Sequence, residues 1–237
     1  MSTNAPTSKK FRRGREQNEA MNSNATVEIS RRDYSLVGRD AKLAEEHGLA
    51  NAQWYSCAIP RQRIRELMQR KDGPAIRDTL LWFALLAATG TLGYLTWGTW
   101  WTVLPFAAYG VLYGTSSDSR WHECGHRTAF KTVWMNDVIY EIASFMILRE
   151  SVPWRWSHTR HHTDTIIVGR DPEIGVPRPP DLLGIALGAF ALKGGPKQFY
   201  LIGLHCFGRL TPAENTYIPS TERPKVYRNA RIYILIY

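Results

Sequence analysis

Five of the seven histidines in this 237-residue chain fall into two clusters, His122-Glu123-Cys124-Gly125-His126 and His158-Thr159-Arg160-His161-His162. On helices, the i,i+4 spacing of His122 and His126 places both rings on one face, and the i,i+3,i+4 spacing of His158, His161 and His162 does the same. Two such faces turned toward each other make a nitrogen-rich cage for metal. Imidazole suits iron, zinc, copper or nickel, so ligand type alone does not name the ion. Five rings exceed what one tetrahedral zinc needs, and a two-metal site accounts for them most simply. His47 stands apart and reads as an ordinary polar residue.

Four carboxylates near the clusters, Asp118, Glu123, Asp137 and Asp164, are candidates to orient imidazole N–H groups; their other reading is as capping or surface acids. His122 to His126 also satisfies the H-E-x-x-H pattern of zinc proteases, with Glu123 as general base and Glu141 or Glu150 as a conceivable third ligand. The longer metzincin spacing is not met, because Ala129 and Thr132 stand where glycine and histidine are required. A protease gives the second cluster no role.

The elements that must carry these clusters are apolar. From Thr79 to Ser117 there is no charged residue. As helix this run would measure about 60 Å, twice a hydrocarbon core of about 30 Å, which fits two spans. The hinge is expected at Trp97-Gly98-Thr99-Trp100, where glycine and tryptophans suit an interfacial turn. Arg61, Arg63, Arg65, Arg70, Lys71 and Arg77 precede the run, and Arg120, Arg127 and Lys131 follow it. Basic flanks at both ends place both on the cytoplasmic side, so a helical hairpin delivers His122 to that face of the membrane.

Around the run, a short helix is expected from Asp40 to His47, ended by Gly48. Ile64, Leu67 and Met68 share one face of a basic amphipathic helix begun by Pro60, and Asp72-Gly73-Pro74 is expected to turn the chain. Trp134, Val138, Ile142, Phe145 and Met146 recur at helical spacing, with Asn136, Asp137, Glu141 and Ser144 off that face, which predicts an interfacial helix linking the clusters. Gly169-Arg170-Asp171-Pro172 and the prolines at 177, 179 and 180 make a loop. Leu182 to Leu192 and Phe199 to Phe207 are apolar but too short to span. Ile232 to Tyr237 reads as the opening of another apolar segment.

Residues 1–53 are expected to form a cytoplasmic tail, polar and partly disordered up to about Ser30. Its basic residues lack the apolar region of a secretory signal, and no helix-turn-helix, zinc-finger or aromatic-interleaved pattern follows, which argues against nucleic acid as partner. The net charge of +9 and mean hydropathy of −0.31 average over this uneven distribution. Cys57, Cys124 and Cys206 form no C-x-x-C pair, as in a reducing compartment.

His122-Glu-Cys-Gly-His126 followed by His158-Thr-Arg-His161-His162, with a hairpin before them and Gly169-Arg-Asp-Pro172 after, resembles the membrane fatty acid desaturase family over roughly residues 54–237. The first two of that family's three histidine boxes match. The resemblance implies an all-α integral membrane fold, a transmembrane helical hairpin (79–117) with a cytoplasmic helical cap carrying the boxes. It implies two iron ions held by His122, His126, His158, His161 and His162, with O2 as co-substrate. The expected reaction is introduction of a double bond into an acyl chain carried on a membrane lipid or thioester. Related hydroxylation shares the same metal site. Electrons are expected from an external donor, a ferredoxin or a cytochrome b5 with its reductase, since no haem, flavin or nicotinamide motif appears. The membrane would be the plasma membrane of a bacterium or the endoplasmic reticulum of a eukaryote. No third box is present, and His205, isolated in Gly203-Leu204-His205-Cys206, is not assigned to replace it. The domain is therefore expected to be partial, with a further hairpin and histidine cluster beyond Tyr237, and this form to bind iron weakly without turnover.

Overall fold

The computed structural model describes residues 32–51 and 55–237, with 51 and 115–118 described for their backbone alone. The expectation for residues up to 31 lies outside the described residues. The described residues are helical, without strands. Helices α1 (Arg39–Glu46) and α2 (Arg61–Leu67) precede α3 (Asp72–Leu95). A turn through Gly98 and a 3-10 turn, Trp100–Thr102, lead into α4 (Val103–Val111), a π-helical segment Leu112–Ser116 and α5 (Ser117–Gly125). Then follow α6 (Val133–Met146), α7 (Ser151–Asp164), α8 (Leu182–Ala189), α9 (Gly194–Cys206) and α10 (Arg223–Ile236).

Asp72-Gly73-Pro74 does not turn the chain. It is the first turn of α3, where a proline's missing N–H would have no intrahelical partner anyway. The Asp72 carboxylate instead accepts from Thr132 N and Oγ1 at 2.8 and 2.7 Å, tying the start of α3 to the start of α6. α3 and the turn after it pack on the return arm: Trp82 Nε1 donates to the Leu112 carbonyl of the π segment at 3.0 Å, and Trp97 in the turn meets Phe106 of α4 edge-on. One described stretch, Arg61–Leu95, is long and apolar enough to cross a membrane. The return arm is not one regular helix, because α4, the π-helical segment and α5 succeed one another. Such π segments re-aim a helix, here directly before His122.

In α6 the polar residues Asn136 and Ser144 are the buried ones, beside Tyr140 and Ala143, while Trp134, Val138 and Ile142 are exposed at 62%, 47% and 40%. The buried Asn136 is satisfied, accepting from Phe130 N and donating to the carbonyls of Phe130 and Thr132. It folds the connection from α5 so that α5 and α6 pack around Trp121, Cys124, Phe130, Tyr140 and Ala143. A second core joins Ile202 of α9 to Ala230 and Tyr233 of α10. The α8 residues Leu182 and Leu183 stay exposed.

Candidate metal centre

His122 and His126 stand at the end of α5 and just beyond it; His158, His161 and His162 lie on α7. The two elements meet at a glycine. A Cβ on Gly125 would come within 2.4 Å of the Trp154 ring, so only glycine lets α5 approach α7 this closely. Trp154 in turn stacks on His158, with ring centroids 4.2 Å apart and planes at 18°.

Three Nε2 atoms converge: His126 to His158 at 3.0 Å, His158 to His162 at 3.1 Å and His162 to His126 at 3.2 Å. His122 joins them, all four ligand atoms lying within 4.8 Å of one another. Nitrogens held at about 2.1 Å by one ion sit roughly 3.0–3.4 Å apart, so the spacing fits a metal. The tautomer fits as well. His158 Nδ1 faces Glu173 Oε2 at 2.7 Å, which places its proton on Nδ1 and leaves Nε2 as a lone pair directed at the other rings. Lone pairs gathered this way repel unless a cation lies among them. Burial, followed by the neighbouring His158, His122 and His162, pushes His126 down to about 4, so it stands neutral at pH 7, the form that ligates.

His161 is not part of this group. Its Nδ1 faces Asp171 Oδ1 at 2.9 Å, and Asp171 is itself fixed by the backbone N–H groups of Ile166 and Glu173, both at 2.8 Å. Cys124, between the box histidines, faces the core, where burial pushes its thiol up to about 12.

Three of the four carboxylates weighed as orienting groups pair with arginines instead, in keeping, for Glu123 and Asp137, with their other reading as surface acids. Asp137 takes a fork from Arg127, at 3.0 and 3.2 Å, and a contact from Arg155 at 3.4 Å. Asp164 pairs with Arg170 at 3.0 Å and Arg160 at 3.4 Å. Glu123 pairs with Arg120 at 3.2 Å. Each acid has an arginine nearer than a ring. The side chain of Asp118 lies outside the described residues. The orienting acids are Asp171 and Glu173, which sequence reasoning missed although Gly169-Arg170-Asp171-Pro172 stood out as a loop. The signal was a pair of acids in the first tight loop after the box.

Neither carboxylate offered as third ligand in the protease reading lies at the site. Glu150 is bound to His205, and neither Glu150 nor Glu141 belongs to the four-histidine group.

The helical frame and its imidazole cluster define a candidate metal site with histidine ligands. The fatty acid desaturase family model matches residues 98–237, and the chain belongs to that family. It is similar to a Delta(12)-acyl-lipid-desaturase of Punica granatum, 31% identical over 39% of this chain and 22% of that protein. It is likewise similar to an endoplasmic reticulum omega-6 fatty acid desaturase isozyme of Glycine max, 35% identical over 33% and 21%. A Delta(12)-fatty-acid desaturase of Arabidopsis thaliana is 31% identical over 51% of this chain and 32% of its own length. The chain thus spans between about a fifth and a third of these curated relatives. No solved structure matches it.

Proposed function

We propose that this chain carries the metal-binding part of a membrane desaturase that oxidises the acyl chain of a membrane lipid with O2. The observation that carries the reading is the convergence of the His126, His158 and His162 Nε2 atoms, one of them given its tautomer by Glu173. His122, His126, His158 and His162 would hold iron, with His161 presented beside them. Iron supplies the redox chemistry that an unactivated C–H bond demands and that no side chain offers.

The residues themselves bind and orient. Glu173 and Asp171 keep the Nδ1 protons in place, and Trp154 shields one face of His158 from water. The balance is CH2–CH2 plus O2, two electrons and two protons to CH=CH plus two waters. The electrons call for an external ferredoxin or cytochrome b5. The acyl-lipid named for the Punica granatum relative favours a lipid-borne acyl group over a thioester. The uncharged run 79–117 is read as a membrane hairpin, with α5 and α7 on the cytoplasmic side.

The test is iron content of the detergent-purified chain together with lipid-product analysis, with donor and O2 supplied. Iron with O2-dependent unsaturation supports the reading. Zinc content, or chelator-sensitive peptide cleavage lost in Glu123→Gln, refutes it.

A further inference from the structure

His205 is fully buried on α9, yet it is not an apolar-core residue. Its Nδ1 lies 2.6 Å from Glu150 Oε2, and its Nε2 lies 3.1 Å from Glu214 Oε2. An imidazole donating from both nitrogens is an imidazolium. Burial alone would push its pKa down, but the hydrogen bonds and charges of Glu150 and Glu214 outweigh burial and hold it up at about 9. Glu150 depends on this contact, since its other oxygen, Oε1, is buried without a hydrogen-bond partner among the described residues.

The three groups come from separate elements and meet at the start of α7. Glu150 is the N-cap of α7, the helix that carries the second histidine cluster. Glu214 also accepts from Thr211 N and Oγ1, at 2.8 and 2.7 Å, so the turn 211–216 is held as a unit. The far end of that turn reaches α7 again: Arg160 Nη1 donates to the Thr216 carbonyl and hydroxyl at 3.1 and 3.0 Å. Arg160 stands between His158 and His161. The turn therefore reaches α7 twice, at its cap through His205 and inside the histidine cluster through Arg160, about 15 Å apart along the helix.

We infer that His205 is a positioning residue for the metal centre: through Glu150 and Glu214 it fixes the setting of α7 that brings His158 and His162 against His126. It acts at a distance, since it is not among the clustered ligands. The inference rests on the metal-binding reading above and adds to it the strut that sets the geometry.

Co(II) titration of the full chain in detergent tests it, reading affinity and the visible absorption of nitrogen-bound Co(II). His205→Leu, which fills the space without charge, should lower affinity at least tenfold and shift the bands. Glu150→Gln, which keeps an acceptor for Nδ1–H, should stay within threefold of the parent. A folded His205→Leu with parental affinity and spectrum overturns the inference. So does an equal loss in both variants, because the bond to His205 would then not be what sets the site. Should His205→Leu not fold, Glu150→Asp replaces it: the carboxylate remains but is withdrawn by about 1.5 Å. A tenfold loss there supports the strut, and parental affinity overturns it. A parent chain without Co(II) affinity refutes the metal reading and this inference together; a parent that binds beside variants that bind equally refutes the inference alone.

Discussion

Glu173 reaches back fifteen residues to place its Oε2 2.7 Å from His158 Nδ1, and its Oε1 accepts from Ser157 Oγ at 2.9 Å. This carboxylate decides which nitrogen of His158 faces the other rings. Carboxylates that orient metal-bound imidazoles are typically worth ten- to a hundredfold in metal affinity. Glu173→Ala should therefore weaken Co(II) or Fe(II) binding by about that factor, and Glu173→Gln by less, since its amide oxygen still accepts from Nδ1–H. Equilibrium titration against a competing chelator measures both. Unchanged affinity in Glu173→Ala would remove Glu173 from the site.

Gly125 is fixed by contact rather than by backbone freedom. The Trp154 ring that a Cβ would strike is held by ring contacts with Trp121 and His158. Gly125→Ala should push α5 from α7, costing about 1–3 kcal/mol in stability, as overpacking does. Metal affinity should fall with it. Thermal unfolding and metal titration of the same preparation read the two effects, and an alanine variant equal to the parent in both would show that the ring moves freely.

The sequence made the two clusters and their helical spacing legible because ligand geometry leaves a local signature. It also showed the uncharged run that becomes α3 and α4. It did not show where the carboxylates would go. Asp137, Asp164 and Glu123 are near the histidines in sequence, but Arg127, Arg170 and Arg120 are nearer in space, and a guanidinium fork outcompetes a neutral ring for a carboxylate. The periodicity of α6 and its outward apolar stripe were visible, while the packing of its polar face on protein was not. Helical spacing separates two faces without saying which one meets protein, and here the polar face carries the buried Asn136 and Ser144. Glu150, His205 and Glu214 meet only through tertiary packing, so no spacing could announce them.

The charged strut predicts a pH dependence of opposite sign to ordinary acid unfolding. His205 has a folded pKa of about 9 against an ordinary 6.5, so its contribution is complete below pH 6.5 and is lost as pH rises through 9. The contribution is up to about 3 kcal/mol. Metal-free protein should lose thermal stability between pH 7 and 9.5, and His205→Leu should flatten that slope. A variant that retains the parental slope would assign the alkaline loss to another group.

The exposed stripe of α6 gives the final prediction. Trp134, Val138 and Ile142 face outward while the opposite face is packed on α5, an arrangement that water disfavours and acyl chains accept. α6 follows the box at the end of α5, so a stripe set into the lipid surface would seat the metal centre against the membrane, within reach of acyl chains. A spin label on Val138→Cys in the reconstituted protein should be relaxed more by O2, which concentrates in lipid, than by a water-soluble nickel chelate. A label on Asp137→Cys, on the polar side, should show the reverse. Nickel dominance at both positions would place the stripe in water and remove α6 from the membrane surface.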